Sequence, residues 1–258
     1  MEFTDAQIAE MLQQYVLPFF RISALFMVMP IIGTKIVSSR VRLLAAFFIT
    51  LLAVPMLPKM PVLPLLSLQL AVAIAQEILI GIAIGFLFQL VFQVFVLAGQ
   101  FIALKLGMGF ASMNDPASGV SVTSLSQFYL MIVTLMFIGV NGHLILVELV
   151  VNSFQTLVPG ATVFSAEKLW QMANLGGWLF AAALVMSLPV FASSMLVNIA
   201  FGVMSRSAPQ LNIFAVGFPF TLLCGLLMIW LGLTTFVTDF EQVSATGFGF
   251  VHEFLETR

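Results

Sequence analysis

Six long apolar runs, separated by short connectors, constrain the fold of this chain more than any other feature of its sequence. They cover approximately residues 6–32, 43–57, 67–104, 128–157, 167–204 and 213–237. A helix needs about 20 apolar residues to cross a bilayer, whereas the strands of a membrane β-barrel alternate in polarity over about 10 residues. Because these runs are continuous, the sequence predicts an all-α membrane protein with a single helical membrane domain over residues 1–258.

The composition excludes a soluble domain. Of the 258 residues, 61% are hydrophobic and 8% are charged, and the mean hydropathy is +1.15, whereas about a quarter of the residues of a soluble domain are charged. The chain has no basic run, so we expect no nucleic-acid partner. Cys224 stands alone within an apolar run, and we interpret it as a core residue.

The third and fifth runs are longer than a bilayer requires. The third run, Ser67 to Leu104, contains no proline, and as one helix it would reach about 57 Å at ~1.5 Å per residue. The hydrocarbon core is only ~30 Å thick. The fifth run is of similar length and is divided by Pro189. Both helices must therefore tilt, break or lie partly outside lipid, packed against protein.

A narrow stripe of polar or small residues follows the third run. Glu77, Gly81, Gly85, Gln89 and Gln93 recur at every fourth position, which places them close to one face of a helix. The two glycines form a G-x-x-x-G pattern, which lets another helix approach closely. The stripe is interpreted as a subunit contact or a wall that faces water, or alternatively as internal packing between helices of one bundle.

Two carboxylates, Glu77 and Glu148, lie deep inside apolar runs. A proton-coupled transporter would use such groups as proton carriers. Alternatively, each carboxylate pairs with a buried cation, for which Arg21, Lys105 and Arg206 are the candidates. The sequence leaves both interpretations open and favours the ion pairs.

Breaks in the later runs are also predicted. Asn141-Gly142-His143 is expected to bend the fourth run, and Phe218-Pro219 to kink the start of the sixth. Residues 206–212 interrupt the chain between the fifth and sixth runs. Residues 238–258 carry four acidic side chains and are expected to form a polar, exposed or partner-bound C-terminal tail.

Residues 105–126 form the long central segment that cannot be an ordinary membrane helix. Gly107, Gly109 and Gly119 permit backbone angles that other residues avoid, and Asp115-Pro116 favours a turn or an extended segment. The segment also contains three large apolar residues, Met108, Phe110 and Met113.

A flexible, apolar loop at membrane depth must be buried in protein or line a cavity. We therefore interpret residues 105–126 as a plug in a conduit. The alternative is a re-entrant or surface connector.

No sequence pattern indicates an enzyme. The chain has no Walker loop, dinucleotide fingerprint, Cys/His metal cluster or Ser-His-Asp arrangement at a plausible spacing, so we expect no cofactor and no metal. The classes that remain are a secondary transporter, a channel or gate, and a structural membrane scaffold.

The glycine-rich segment after the third run, the Ala-Pro-Gln-Leu-Asn sequence at residues 208–212 and Phe218-Pro219 resemble the FliR family over essentially the whole chain. These are the R subunits of the flagellar type III export gate, and they have homologues in virulence injectisomes. The resemblance implies kinked helices arranged as hairpins, which assemble with several copies of the P and Q gate subunits into a helical hetero-oligomer partly outside the bilayer.

The resemblance also implies a location, partners and functional residues. The location is the bacterial inner membrane, within the flagellar basal body. The partners are the P and Q subunits, an FlhB-type switch protein, an FlhA-type export protein, unfolded export substrates and membrane lipid. The plug is Leu106 to Val122, and its residues are Gly107, Met108, Gly109, Phe110, Met113, Asp115, Pro116 and Gly119. The residues expected at helix or subunit contacts are Glu77, Gly81, Gly85, Pro209, Asn212 and Pro219.

Three functions are therefore considered. The first is a core subunit of the flagellar export gate that supplies the plug of the conduit. The second is the equivalent subunit of an injectisome. The third is a proton-coupled transporter of small solutes.

Overall fold

The computed structural model describes residues 5–64, 67–108, 112–114, 121–160, 165–207 and 213–256. Within these ranges the chain forms eight α-helices and one short antiparallel β-hairpin, which confirms the predicted all-α membrane protein. The helices are α1 (Asp5–Val28), α2 (Ser39–Ala53), α3 (Leu68–Lys105), α4 (Ser124–Gly139), α5 (Gly142–Thr156), α6 (Ala166–Ser207), α7 (Ile213–Gly232) and α8 (Phe236–Glu256). The strands are β1 (Ser112–Asn114) and β2 (Ser121–Thr123).

Helix α3 is the central element of the fold. It is one continuous helix of 38 residues, so the third run does not break, and it packs against α1, α4, α6 and α8. The Ser67 side chain begins it by accepting a hydrogen bond from the Leu70 N–H at 3.2 Å, which satisfies one of the backbone donors at a helix start. A helix packed on several sides can exceed the bilayer thickness, because protein rather than lipid covers it.

Phenylalanine side chains join α3 to α4 and α8. The rings of Phe92 and Phe137 have centroids 5.2 Å apart, and the rings of Phe95 and Phe236 have centroids 5.3 Å apart. All four side chains are buried, and aromatic pairs at such separations stabilise a core beyond their area burial. The core therefore follows α3 along its length.

The predicted bend in the fourth run is confirmed. Helices α4 and α5 meet at 65°, and Asn141 between them has a left-handed backbone conformation with φ of 55°. Asparagine adopts this conformation more readily than most residues. The bend turns α5 back toward α1, so that the two halves of the fourth run contact different neighbours.

The segment 238–258 is predicted from the sequence as a polar tail, exposed or bound to a partner, whereas its described part is a helix packed within this chain. Residues 236–256 form α8, which packs along α3. Its buried positions recur with helical spacing at Phe236, Phe240, Ser244, Gly247, Val251 and Phe254. The acidic residues Glu241, Glu253 and Glu256 are exposed on the opposite side. These charges conceal the apolar stripe of the segment.

Within the part of the chain that the structure describes, four helices are long and apolar enough to cross a membrane. The bent pairs α4–α5 and α7–α8 raise the number to six, if each pair counts as one crossing. The four single helices that qualify are Glu10–Val28, Ser39–Met56, Leu68–Lys105 and Ala166–Arg206. Among the described residues, the first three runs correspond to α1, α2 and α3, the fourth to the bent pair α4–α5, the fifth to α6 and the sixth to α7, whereas α8 lies in the segment predicted as a tail.

Candidate functional site

The central segment contains a β-hairpin. Strands β1 and β2 pair antiparallel, with Met113 opposite Val122. The tip, residues 115–120, and the approach, residues 109–111, lie outside the described residues. The predicted plug residues Gly109, Phe110, Asp115, Pro116 and Gly119 therefore also lie outside them.

The hairpin is held where the chain enters it. Gly107 has φ of +73°, a conformation that glycine adopts without strain. A Cβ atom at this position would lie 2.6 Å from the Phe218 ring of α7, so the close approach of the ring also requires glycine. Pro219, a predicted contact residue, follows inside α7. Leu106 is buried and Met108 packs partly against the hydrophobic core.

The hairpin is also held where the chain leaves it. Thr123 caps the start of α4, because its hydroxyl oxygen accepts a hydrogen bond from the Ser126 N–H at 3.3 Å. The Thr123 and Ser126 hydroxyls are 2.8 Å apart and hydrogen-bonded. Both residues and Leu125 are buried. We define the hairpin base as residues 106–108 and 122–126, and it is fixed by α3, α4 and α7.

A cavity of about 670 Å³ lies beside the hairpin base. Its walls come from the end of α1 and the connector after it, from α3, from α4, from Leu179 and Phe180 of α6, and from Val122 of the hairpin. The polar side chains in these walls are uncharged: Thr34, Gln89, Gln93, Gln100, Gln127 and Thr134.

Three of these glutamines lie on one face of α3. Gln89, Gln93 and Gln100 are spaced by four and seven residues, which returns each side chain to nearly the same side of a helix. Gln93 is exposed, and the other two are half-buried. None of the three amides has a hydrogen-bond partner among the residues that the structure describes. We call these three residues the glutamine face.

The polar stripe of the third run thus divides into two parts. The second half of the stripe, Gln89 and Gln93, belongs to the glutamine face and borders the cavity. The first half packs against α1: a Cβ atom at Gly81 would overlap the Arg21 carbonyl oxygen, and one at Gly85 would lie 3.2 Å from the Met29 nitrogen. Of the interpretations that the sequence leaves open, internal packing therefore applies to the glycines.

An ion pair at the start of the stripe joins three helices. Arg21 of α1 donates to both carboxylate oxygens of Glu77 of α3, at 2.7 and 2.9 Å. Its remaining donors reach the Ser153 hydroxyl and the Leu157 carbonyl at the end of α5, both at 2.8 Å. The guanidinium also lies 3.9 Å from the centre of the Phe154 ring. Both charged side chains are fully buried.

This geometry gives Glu77 a structural role. A buried charge is tolerated when its partner and its hydrogen bonds satisfy it, and removal of one partner leaves the other uncompensated. Both oxygens of Glu77 are held by Arg21, so this carboxylate is not presented to a cavity as a proton carrier would be.

The other candidate charges are placed differently. Glu148 and Arg206 are exposed on the surface of the single chain, so neither is buried within it. On α5 the buried positions are Leu146 and Val150, and Glu148 lies about 200° around the helix from each of them. Lys105 is half-buried, with its ammonium 5.6 Å from the centre of the Phe191 ring.

Some site residues are not visible to sequence reasoning. Ser153 and Leu157 contact Arg21 from 132 and 136 residues away along the chain, and no local pattern connects them. Gln100 could have been found by extending the stripe by seven residues. The predicted contact residues Pro209 and Asn212 lie outside the described residues.

Comparison with known proteins identifies the family. The family described as "Bacterial export proteins, family 1" matches residues 12–246. The chain is 37% identical over 228 residues to the flagellar biosynthetic protein FliR of Escherichia coli K12, covering 88% of this chain and 86% of that protein. It is 33% identical over 231 residues to FliR of Pectobacterium carotovorum, covering 90% and 88%.

A more distant relative matches over the same extent. The chain is 30% identical over 225 residues to FliR of Bacillus subtilis, and the match covers 86% of each protein. Since the family match spans almost the entire chain and these relatives are covered nearly end to end, this protein belongs to family 1 of the bacterial export proteins.

Proposed function

We propose that this chain is a core subunit of the flagellar type III export gate, where it forms part of the conduit for unfolded flagellar proteins and supplies its plug. Family membership and the names of the relatives, flagellar biosynthetic proteins, support the system. The observation that most supports the assignment of a plug is the hairpin, whose base is fixed by three helices beside a cavity.

The hairpin suits a seal that opens for a polypeptide. Its base is held by Gly107 against Phe218 and by the Thr123 cap, so the chain is anchored to helices on both sides of this segment. Residues 109–120 contain glycines, which allow the backbone to rearrange, and Phe110 and Met113, which would exclude water from a closed pore. An apolar segment that is anchored at its base can close a conduit and still move aside for a polypeptide.

The surface of α6 and α7 supports assembly with other subunits. In an 18-residue window of α6 only 22% of the residues are buried. Large apolar side chains such as Leu196 and Trp230 are more than 60% exposed, and contiguous apolar surface of this kind indicates a protein or lipid partner. The proposed partners are the P and Q gate subunits, FlhB-type and FlhA-type proteins and membrane lipid, within the bacterial inner membrane at the flagellar basal body.

The other candidate functions have less support. The relatives named above are flagellar biosynthetic proteins, which favours the flagellar system over an injectisome. A proton-coupled transporter would need an accessible carboxylate within the membrane, whereas Glu77 is enclosed by Arg21 and Glu148 lies on the outer surface of the chain.

The proposal is tested by ion conductance. Cells that carry a deletion of residues 107–122 are compared with cells that carry the unaltered protein and with a control in which only residues 115–120 become Gly and Ser. We expect the deletion to leak ions while the complex still assembles, as measured by copurification. An assembled complex without a leak would contradict the plug and assign the seal to another subunit.

A further inference from the structure

The glutamine face is a candidate binding surface on α3, outside the residues proposed for the plug. We infer that Gln89, Gln93 and Gln100 form a wall that binds the main chain of a transiting polypeptide in an extended conformation. This inference rests on the proposed function, since it assumes that unfolded proteins pass this surface. The supporting observations are the chemistry of the wall, its dimensions and its place beside the hairpin.

The chemistry of the wall matches a polypeptide backbone. Each glutamine amide offers two donor hydrogens and an acceptor oxygen, and an extended chain presents both N–H and C=O groups. The three amides have no hydrogen-bond partner among the described residues, and none of the three side chains is fully buried, so their donors and acceptors are accessible to a passing chain. A passing backbone would satisfy the amides, and the amides would satisfy the backbone.

The cavity is also tolerant of sequence. None of the residues that line it is charged, so it neither repels nor traps acidic or basic side chains. Much of the remaining wall is apolar and includes Met29 and Met131, whose flexible thioethers adapt to different shapes. A surface that recognises the main chain and accommodates varied side chains fits a conduit for many different proteins.

The dimensions suit a short extended segment. Gln89 and Gln100 are eleven residues apart on α3, which corresponds to about 16 Å along the helix axis. An extended chain rises about 3.3 Å per residue, so about five residues would lie along the glutamine face. The cavity volume of about 670 Å³ is within the range of binding pockets of roughly 300–1,000 Å³.

Other occupants fit the wall less well. A lipid acyl chain would leave all three amides without partners in an apolar environment. A helix of another subunit has satisfied its own backbone groups, so the amides would depend on suitably placed side chains. An extended polypeptide is the occupant whose main chain supplies both donors and acceptors along the whole wall.

The position of the cavity relates it to the plug. Val122 lines the cavity and pairs with Met113 in the hairpin. A polypeptide bound along the glutamine face therefore lies beside the hairpin base. In this arrangement the glutamine face guides the polypeptide past the hairpin base, which anchors the segment that must open for the polypeptide.

Site-specific crosslinking tests the contact directly. A photoreactive amino acid is placed at Gln93 in cells that hold a stalled export substrate, and the matched control is placed at Gln69, which is exposed in the first turn of the same helix. We expect an adduct with the substrate at Gln93 and none at Gln69. An adduct with another gate subunit alone, or no adduct from an assembled complex, would overturn the inference.

A triple variant tests the role of the amides. Q89M/Q93M/Q100M keeps the length of the side chains and removes their hydrogen bonds, and Q69M/Q242M changes two exposed glutamines elsewhere as the control. We expect secretion by the triple variant to fall by about tenfold, with normal assembly and no ion leak. Secretion at the rate of the unaltered protein would overturn the inference.

A complementation experiment separates this inference from the proposed function. A strain that lacks the chain is first complemented with the unaltered protein, and flagellar protein export is measured. If export does not depend on the chain, the proposed function fails. If export depends on the chain but the triple variant secretes normally and Gln93 gives no substrate adduct, only the inference fails.

Discussion

Helices α3 and α6 have similar lengths and opposite environments. They contain 38 and 42 residues, and both exceed the length that a bilayer needs. In an 18-residue window, 67% of the residues of α3 are buried, against 22% for α6. Two helices that look alike in sequence thus differ in function: α3 organises the core of this chain, and α6 presents surface to its surroundings.

The difference lies in the width of the covered face. On α6 the fully or nearly fully buried positions Ala183, Ser187, Val190 and Ser194 recur every three or four residues and form one narrow stripe. Beyond them, Asn198 and Gly202 continue the stripe but are exposed. On α3 the covered faces meet α1, α4, α6 and α8. A narrow stripe holds α6 to the chain and leaves its other faces to partners or lipid.

The largest expected effect concerns the ion pair that fixes α3. R21M leaves Glu77 as an unpaired buried charge, and we expect a loss of stability of about 3–5 kcal/mol. The double variant R21M/E77M removes both charges and should lose less. Thermal unfolding of the detergent-solubilised complex measures both. A double variant that is no more stable than R21M would show that the packing of these side chains, rather than charge pairing, matters.

Parallel glycine substitutions sharpen the comparison. In G81A the new Cβ atom would overlap the Arg21 carbonyl oxygen, so α1 and α3 must separate, and we expect a loss of about 1–3 kcal/mol. In G202A on α6 no atom of this chain lies within 4 Å of the new Cβ among the described residues. Alanine there should stabilise the helix by roughly 0.5–1 kcal/mol.

The glycine pair is measured by protease resistance and accumulation of each variant in the membrane, followed by copurification with the other gate components. We expect G81A to reduce accumulation and G202A to leave it unchanged. Equal losses for both variants would mean that α6 is packed as closely as α3, which would contradict the comparison.

The sequence predicts the helices and bends of this fold better than it predicts which of them pack against each other. The absence of proline in the third run allows the continuous α3, and Asn141-Gly142 predicts the bend between α4 and α5. Arg21 is among the cations proposed for Glu77, and the structure pairs them. These features depend on local backbone chemistry or on the cost of an isolated buried charge, which the sequence alone conveys.

The sequence does not identify what covers each face. An apolar face contacts core, partner or lipid equally well, so nothing in the sequences of α3 and α6 distinguishes their burial. For the same reason the polar stripe did not reveal that its glycines meet α1 and its glutamines meet a cavity. In α8 the exposed acids concealed a buried stripe whose partner, α3, is far away along the chain.

The smallest expected effect concerns the first turn of α6, where a single buried side chain reaches α8. Lys168 is buried there, donates to the Phe254 carbonyl at 3.2 Å and lies 5.3 Å from the centre of the Phe254 ring. That carbonyl belongs to the last turn of α8. The Lys168 side chain therefore holds the end of α8 against α6.

We expect K168M to cost about 1–2 kcal/mol, because the charged hydrogen bond to α8 is lost while the apolar stem remains. Hydrogen exchange at residues 251–256 should accelerate in K168M, whereas K59M, at an exposed lysine, should leave it unchanged. K168R should restore protection, since a guanidinium can also donate to the carbonyl. Unchanged exchange in K168M would mean that α8 is held by its apolar stripe on α3 alone, and that α6 contributes even less to the core than the comparison assigns to it.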